Sequence, residues 1–121
     1  MAYIHPDVLD NGLSELTGAT ALHILSGAAD PADRAAALVV SLGNKAAPGV
    51  SAPSERVAGG REVVVSEVTD GAVTATDTAT RWALIDGTRL LAVNTLSTPQ
   101  SVTDGNLFSL TSFTIGIPNP A

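Results

Sequence analysis

Cysteine is absent from this chain of 121 residues. That excludes a disulfide framework and any thiolate metal site, and it leaves the redox compartment open. Aromatic residues are almost as scarce. Tyr3, Trp82, Phe108 and Phe113 are the whole set, 3% of the sequence, so a surface built for base or sugar stacking is not expected. Cations are few: six Lys and Arg stand against twelve Asp and Glu, for a net charge of −6. Six positive side chains cannot lay a basic track, so neither nucleic acid nor an anionic membrane surface is an expected partner. Long apolar runs are missing too. The longest, around Ala35 to Leu42, is far too short to span a bilayer. No basic-then-apolar leader pattern is read at the N-terminus.

Chemical motifs are equally sparse. The nucleophile elbow G-x-S-x-G, the phosphate loop, G-x-G-x-x-G and N-x-S/T are all absent. His5 and His23 are the only side chains with ordinary pKa values near neutrality, and they lack a third ligand at metal-binding spacing. Asp7 with Asp10, and Asp30 with Asp33, are carboxylates three apart. Capping and solvation explain them more simply than acid–base work or calcium binding. The sequence therefore carries no expected cofactor, no metal and no catalytic residue.

What the chain does have is Ala, Val, Thr and turn residues. One domain is expected from the length. "PDVLDNGLSELT" (6–17) predicts a short helix, with Pro6 at its start and Leu9, Leu13 and Leu16 on one face. "TALHILS" (20–26) predicts a strand. In "GAADPADRAAA" (27–37), Asp30 is placed as the cap of a short helix from Pro31. "LVVSL" (38–42) reads as a strand or as the end of that helix. Residues 43–61 hold four Gly and two Pro and predict one long loop, which carries Lys45, Arg56 and Arg61.

From Glu62 to Ile117 the pattern is antiparallel β. Three Asp-Gly pairs, at Asp70-Gly71, Asp86-Gly87 and Asp104-Gly105, predict three type I′ hairpin turns. Counting outward from the first opposes Val68 to Val73 and Glu67 to Thr74. From the second, Trp82 faces Leu91, Leu84 faces Arg89 and Thr80 faces Val93. Alternation then puts Trp82, Leu84, Leu91 and Val93 on one core face. In "NLFSLTSFTIGI" (106–117), the apolar parity changes between Leu110 and Phe113, which predicts a β-bulge near Thr111–Ser112. Pro118 and Pro120 end the pairing. The expected fold class is mainly β: an antiparallel β-sandwich or barrel-like domain, with one or two short helices in the N-terminal half.

The segments "LDNGL" (9–13), "LGNK" (42–45), Gly60-Arg61, "VTDGAVTAT" (68–76), "TRWALID" (80–86), "SVTDGN" (101–106) and "IGIPNP" (115–120) span nearly the whole chain. In these segments the chain resembles a family of small virion proteins from tailed bacteriophages and prophages. It departs from that family at "DPADRAAALVVSL" (30–42), where a more polar stretch rich in Tyr and Thr is the pattern. The resemblance implies a capsid decoration (cement) protein on the surface of an HK97-like head. The implied partners are the major capsid protein and the chain itself, as a homotrimer at three-fold seams. On that reading the N-terminal arm (Met1–Asp7) and the loop 43–61 are the contact elements, with Tyr3, Ile4, His5, Lys45, Arg56 and Arg61 as contact residues. A neck, tail or fibre-associated virion component is the alternative, and a small enzyme outside the particle is a third reading.

Overall fold

In the computed structural model, residues 3–4, 12–55, 57 and 61–117 are described. The fold is mainly β, as expected, with two antiparallel sheets. Ten strands are described: β1 (Tyr3–Ile4), β2 (Ala21–Leu25), β3 (Ser41–Ala46), β4 (Ser54–Glu55), β5 (Arg61–Val65), β6 (Val68–Val73), β7 (Asp77–Ile85), β8 (Leu90–Val102), β9 (Leu107–Leu110) and β10 (Phe113–Ile117). Seven of them form one sheet in the order β1-β8-β7-β2-β3-β6-β9, and the other three form a second sheet in the order β10-β5-β4. The large sheet curls. Gln100 Nε2, on β8, reaches across to donate 3.0 Å to the carbonyl of Ser109 on the far edge strand β9.

Both helices fall in the N-terminal half. A 3-10 helix spans Gly12–Gly18 and buries Leu13 and Leu16. These are two of the three leucines expected on one face; Leu9 and the start of that helix at Pro6 lie outside the described residues. The helix packs against β5 and β10, the two longer strands of the small sheet. The second helix, α1 (Arg34–Val39), begins later than expected. Its cap is Asp33, whose side chain accepts from the Ala36 amide at 2.8 Å, and not Asp30. Residues 38–42 belong to both predicted alternatives: the helix ends at Val39 and β3 begins at Ser41.

The core has two parts because the centre of the large sheet is covered on both faces. Between the sheets lies the main cluster, with Leu16, Leu22, Ile24, Val63, Val65, Leu84 and Leu91 all fully enclosed. Behind the large sheet Leu25, Ala37, Ala83, Ile85, Leu90 and Val93 form a smaller cluster, to which α1 contributes Ala37. Each fully buried Leu, Ile or Val is worth about 1.5–3 kcal/mol, so aliphatic side chains stabilise a core that has few aromatics.

The three Asp-Gly expectations separate here. Only Asp86-Gly87 lies at a hairpin, between β7 and β8. Even there the register differs. Ile85 opposes Leu90, and Asp86 N–H donates to the Arg89 carbonyl at 3.0 Å, so the chain pivots on Gly87-Thr88, one residue later than expected. Gly87 does not have the positive φ a type I′ turn requires. A further shift between Leu84 and Ile85 leaves Leu91 as an extra residue, and Trp82 then faces Asn94 and Leu84 faces Ala92. Leu91 stays in the main core with Trp82 and Leu84, but Val93 turns to the opposite cluster.

Asp70-Gly71 makes no turn. β6 runs through it, pairing with β3 on one side and β9 on the other. The stretch preceding it is divided between sheets: Val63 and Val65 are buried in β5 of the small sheet, and Ser66–Glu67 carry the chain across to β6. At Asp104-Gly105 a tight turn does form, with Asn106 N–H donating to Thr103 O at 3.0 Å and Gly105 at φ +90°. The strand that follows pairs with β6, not back onto β8, so the turn leads to the far edge of the curled sheet without making a hairpin. The parity change near Thr111–Ser112 is likewise a sheet crossing in place of a bulge. β9 ends at Leu110 in the large sheet and β10 begins at Phe113 in the small one. The result is the one the parity demanded, since Phe108, Leu110 and Ile115 all enter the main core.

Candidate functional site

The predicted contact residues are spread over the molecule. Tyr3 and Ile4 form edge strand β1, opposite Val93 and Ala92 of β8. Lys45 lies in β3, which is four strand positions away along the sheet. At about 4.8 Å per strand that is roughly 19 Å along the sheet. The expected loop 43–61 is shorter than its sequence suggests: residues 43–46 finish β3, Val50 bridges to Val65, Ser54–Glu55 form β4 and Arg61 opens β5. Lys45 is an ion-pair partner of Asp70 at 3.0 Å, and Arg61 donates to the Pro53 carbonyl at 3.2 Å. His5 and Arg56 lie outside the described residues.

Charged side chains elsewhere tie the fold together. Arg81, at 7% exposure, donates to Asp30 at 2.6 Å and to the carbonyls of Gly27 and Ala28 at 2.7 and 3.2 Å, pinning the loop before α1 onto β7. Burial alone would raise the Asp30 carboxyl, but hydrogen bonding and nearby positive charge, Arg81 first among them, together outweigh it and hold the group below its usual range. Arg89 bridges Asp86 and Glu15, both at 2.6 Å, and so fastens the β7–β8 hairpin to the 3-10 helix. Burial would raise the Asp86 carboxyl as well. The amides of Thr88 and Arg89 and the Arg89 guanidinium outweigh it and bring that carboxyl down to about 2. His23 is buried, with Nδ1 2.7 Å from the Ser41 hydroxyl. Burial first, then the nearby Arg34 charge, lower its pKa. Among the described residues no group of three or more His, Asp and Glu is placed to hold a metal ion.

One concave feature stands out, a groove of about 220 Å³ at a double irregularity of the fold. On one side, β8 departs from β7. Ala79 opposes Gln100 and Arg81 opposes Thr95, so the four residues 96–99 face the single residue Thr80. Pro99, in that excursion, has no amide hydrogen to give a ladder. On the other side the chain crosses between sheets after Leu110. Trp82 and Phe113 form the floor, with ring centroids 4.5 Å apart and a 35° tilt. The remaining walls are Asn94, Thr95, Leu96, Ser97, Leu110, Thr111 and Thr114.

Among the described residues no ionisable side chain lines this groove. The described walls offer amide, hydroxyl and apolar groups. The sequence placed Trp82 correctly in the core but did not reveal the groove. Its two walls come from a strand excursion and a sheet crossing, and neither has a short-range signature beyond Pro99 and the parity change. No family model, curated protein or solved structure matches this chain.

Proposed function

We propose that this protein is a structural virion component that binds the outside of a bacteriophage capsid and stabilises contacts between capsomers, acting as a homotrimer with the major capsid protein as its partner. The reading starts from the resemblance to small virion proteins of tailed phages. One structural observation supports it further: every described Lys and Arg side chain is bonded to its own chain. Arg34 donates to the Asp86 carbonyl, Lys45 pairs with Asp70, Arg61 holds the Pro53 carbonyl, Arg81 pairs with Asp30, and Arg89 pairs with Asp86 and Glu15. Charge is spent on rigidity. Thr, Ser and Ala are prominent on the surface left over, and their neutral groups cost less to desolvate than a charge does.

A cement protein works through many modest contacts that share one lattice, and a stiff scaffold loses little conformational entropy at each. About 800 Å² per partner is the usual scale of a specific contact. The test is the copy number and position of the chain in purified particles, by quantitative proteomics and particle imaging. Abundance comparable to the major capsid protein, on the outer shell, is the expected result. A few copies, or a ring at the neck or tail, would transfer the chain to the alternative virion role. Absence from particles would overturn both.

A further inference from the structure

The groove over Trp82 and Phe113 has a chemistry that points to a small ligand. We propose that it binds a single neutral sugar ring. Three observations on its walls lead there.

The first is the floor. Phe113 is half-buried, and it lies against the indole of Trp82 at 4.5 Å, so an aromatic platform meets the groove. The C–H face of a pyranose packs on such a platform through dispersion and the ring quadrupole.

The second is the rim. Asn94 stands directly across the ladder from Trp82, and so shares its face. Its Oδ1 accepts from the Thr95 amide at 2.8 Å, which fixes the side chain and leaves the amide nitrogen to donate outward. The hydroxyls of Thr95, Ser97, Thr111 and Thr114 have no hydrogen-bond partner among the described residues. Elsewhere the fold uses such groups: Thr80 binds the Gly27 carbonyl, Ser41 meets His23 and Ser51 accepts from the Val64 amide. Uncommitted donor–acceptor groups around an aromatic floor match the alternating hydroxyls of a sugar.

The third is charge and size. Among the described residues no ionisable side chain lines the groove, so phosphate, carboxylate and ammonium groups find no counter-charge on its described walls. A volume of about 220 Å³ falls below the usual range of about 300–1,000 Å³ for drug-sized ligands, and suits one ring.

Trp82 is the only tryptophan of the chain, so its emission reports directly on the groove. The experiment titrates the full chain with the methyl glycosides of glucose, galactose, mannose and N-acetylglucosamine, with glycerol and uridine as controls. The expected result is a saturable change in emission with at least one glycoside and with neither control. Thr114→Val and Asn94→Ala should each weaken that binding about fivefold, the worth of one hydrogen bond, without moving the melting temperature. Both side chains are exposed, so loss of fold does not confuse the result. No saturable response to any glycoside, equal binding of uridine, or unchanged affinity in both variants would overturn the proposal. Because it does not depend on where the chain sits in a particle, failure here leaves the virion reading standing.

Discussion

Asp86-Gly87 and Asp70-Gly71 are the same dipeptide with β-rich flanks, yet one reverses the chain and the other lies within a continuous strand. The difference lies in what the flanking residues bury. Around Asp86 both flanks belong to one sheet, so reversing the chain brings β7 and β8 side by side. Around Asp70 the upstream valines Val63 and Val65 belong to the small sheet and the downstream Val73 to the large one. A hairpin there would pull one of those sets out of the core. The local turn preference is worth far less than burying two or three valines, and the tertiary term wins. The mismatch is absorbed as a bulge, with two β6 residues facing one of β9 between Val68 and Gly71.

Gly71 then has a different purpose from Gly87. The ring of Phe108 lies against it, and an added Cβ would clash with the ring carbons. Phe108 is itself only 3% exposed and has nowhere to retreat. Gly71→Ala is therefore the most damaging change within the three dipeptides, costing about 2–3 kcal/mol as an overpacking strain. Urea unfolding of the variant checks this. In a Phe108→Leu background the same substitution should cost about 1 kcal/mol less, because the two positions share one contact. If Gly71→Ala were neutral in both backgrounds, the close approach of the Phe108 ring would carry no weight.

The two aspartates also separate. Asp86 accepts from the amides of Thr88 and Arg89 at 2.8 and 2.7 Å and from the Arg89 side chain. Its carboxyl is depressed from 3.8 to about 2. The unfolded chain binds the proton more readily than the folded one in that interval. This stabilisation is thus present in full above about pH 4 and is lost as pH falls through about 2. Its size is about 2 kcal/mol, read as a steepening of acid unfolding that Asp86→Asn removes. Among the described residues the exposed Asp70 has only Lys45 as a partner, and Asp70→Asn should change stability by less than about 0.5 kcal/mol. Next in size comes Gly105→Ala. At φ +90° an L-residue is strained, and a cost of about 1–2 kcal/mol is expected by thermal unfolding.

What could be read from the sequence was local, and what could not was pairing across distance. β2 was legible as a short apolar strand, the Asp104-Gly105 turn from its residues, and Leu13 and Leu16 from their spacing. The parity change before Phe113 located a break correctly. Its cause, a crossing between sheets, depends on which strand accepts Phe113, and Val65 lies 48 positions earlier. Asp30 looked like a helix cap because nothing nearby shows that Arg81, 51 residues on, will claim it. The extra residue at Leu91 and the excursion at 96–99 are likewise fixed by neighbours distant in sequence, and together they decide both the hairpin register and the existence of the groove.

Gly87 offers the mildest and most discriminating test of the comparison. A type I′ turn at Asp86-Gly87 would need this glycine at positive φ, and alanine there would be strained. In the structure its φ is not in that region, and an added Cβ meets no atom within 4 Å. Alanine then loses nothing in the folded state and restricts the unfolded chain. Gly87→Ala should stabilise the protein by about 0.5 kcal/mol, a rise of about 2 °C in melting temperature. A loss of stability instead would mean that the chain pivots on Asp86-Gly87 after all. Trp82 would then face Leu91 and not Asn94, and the rim of the groove would lose the side chain that sits beside its aromatic floor.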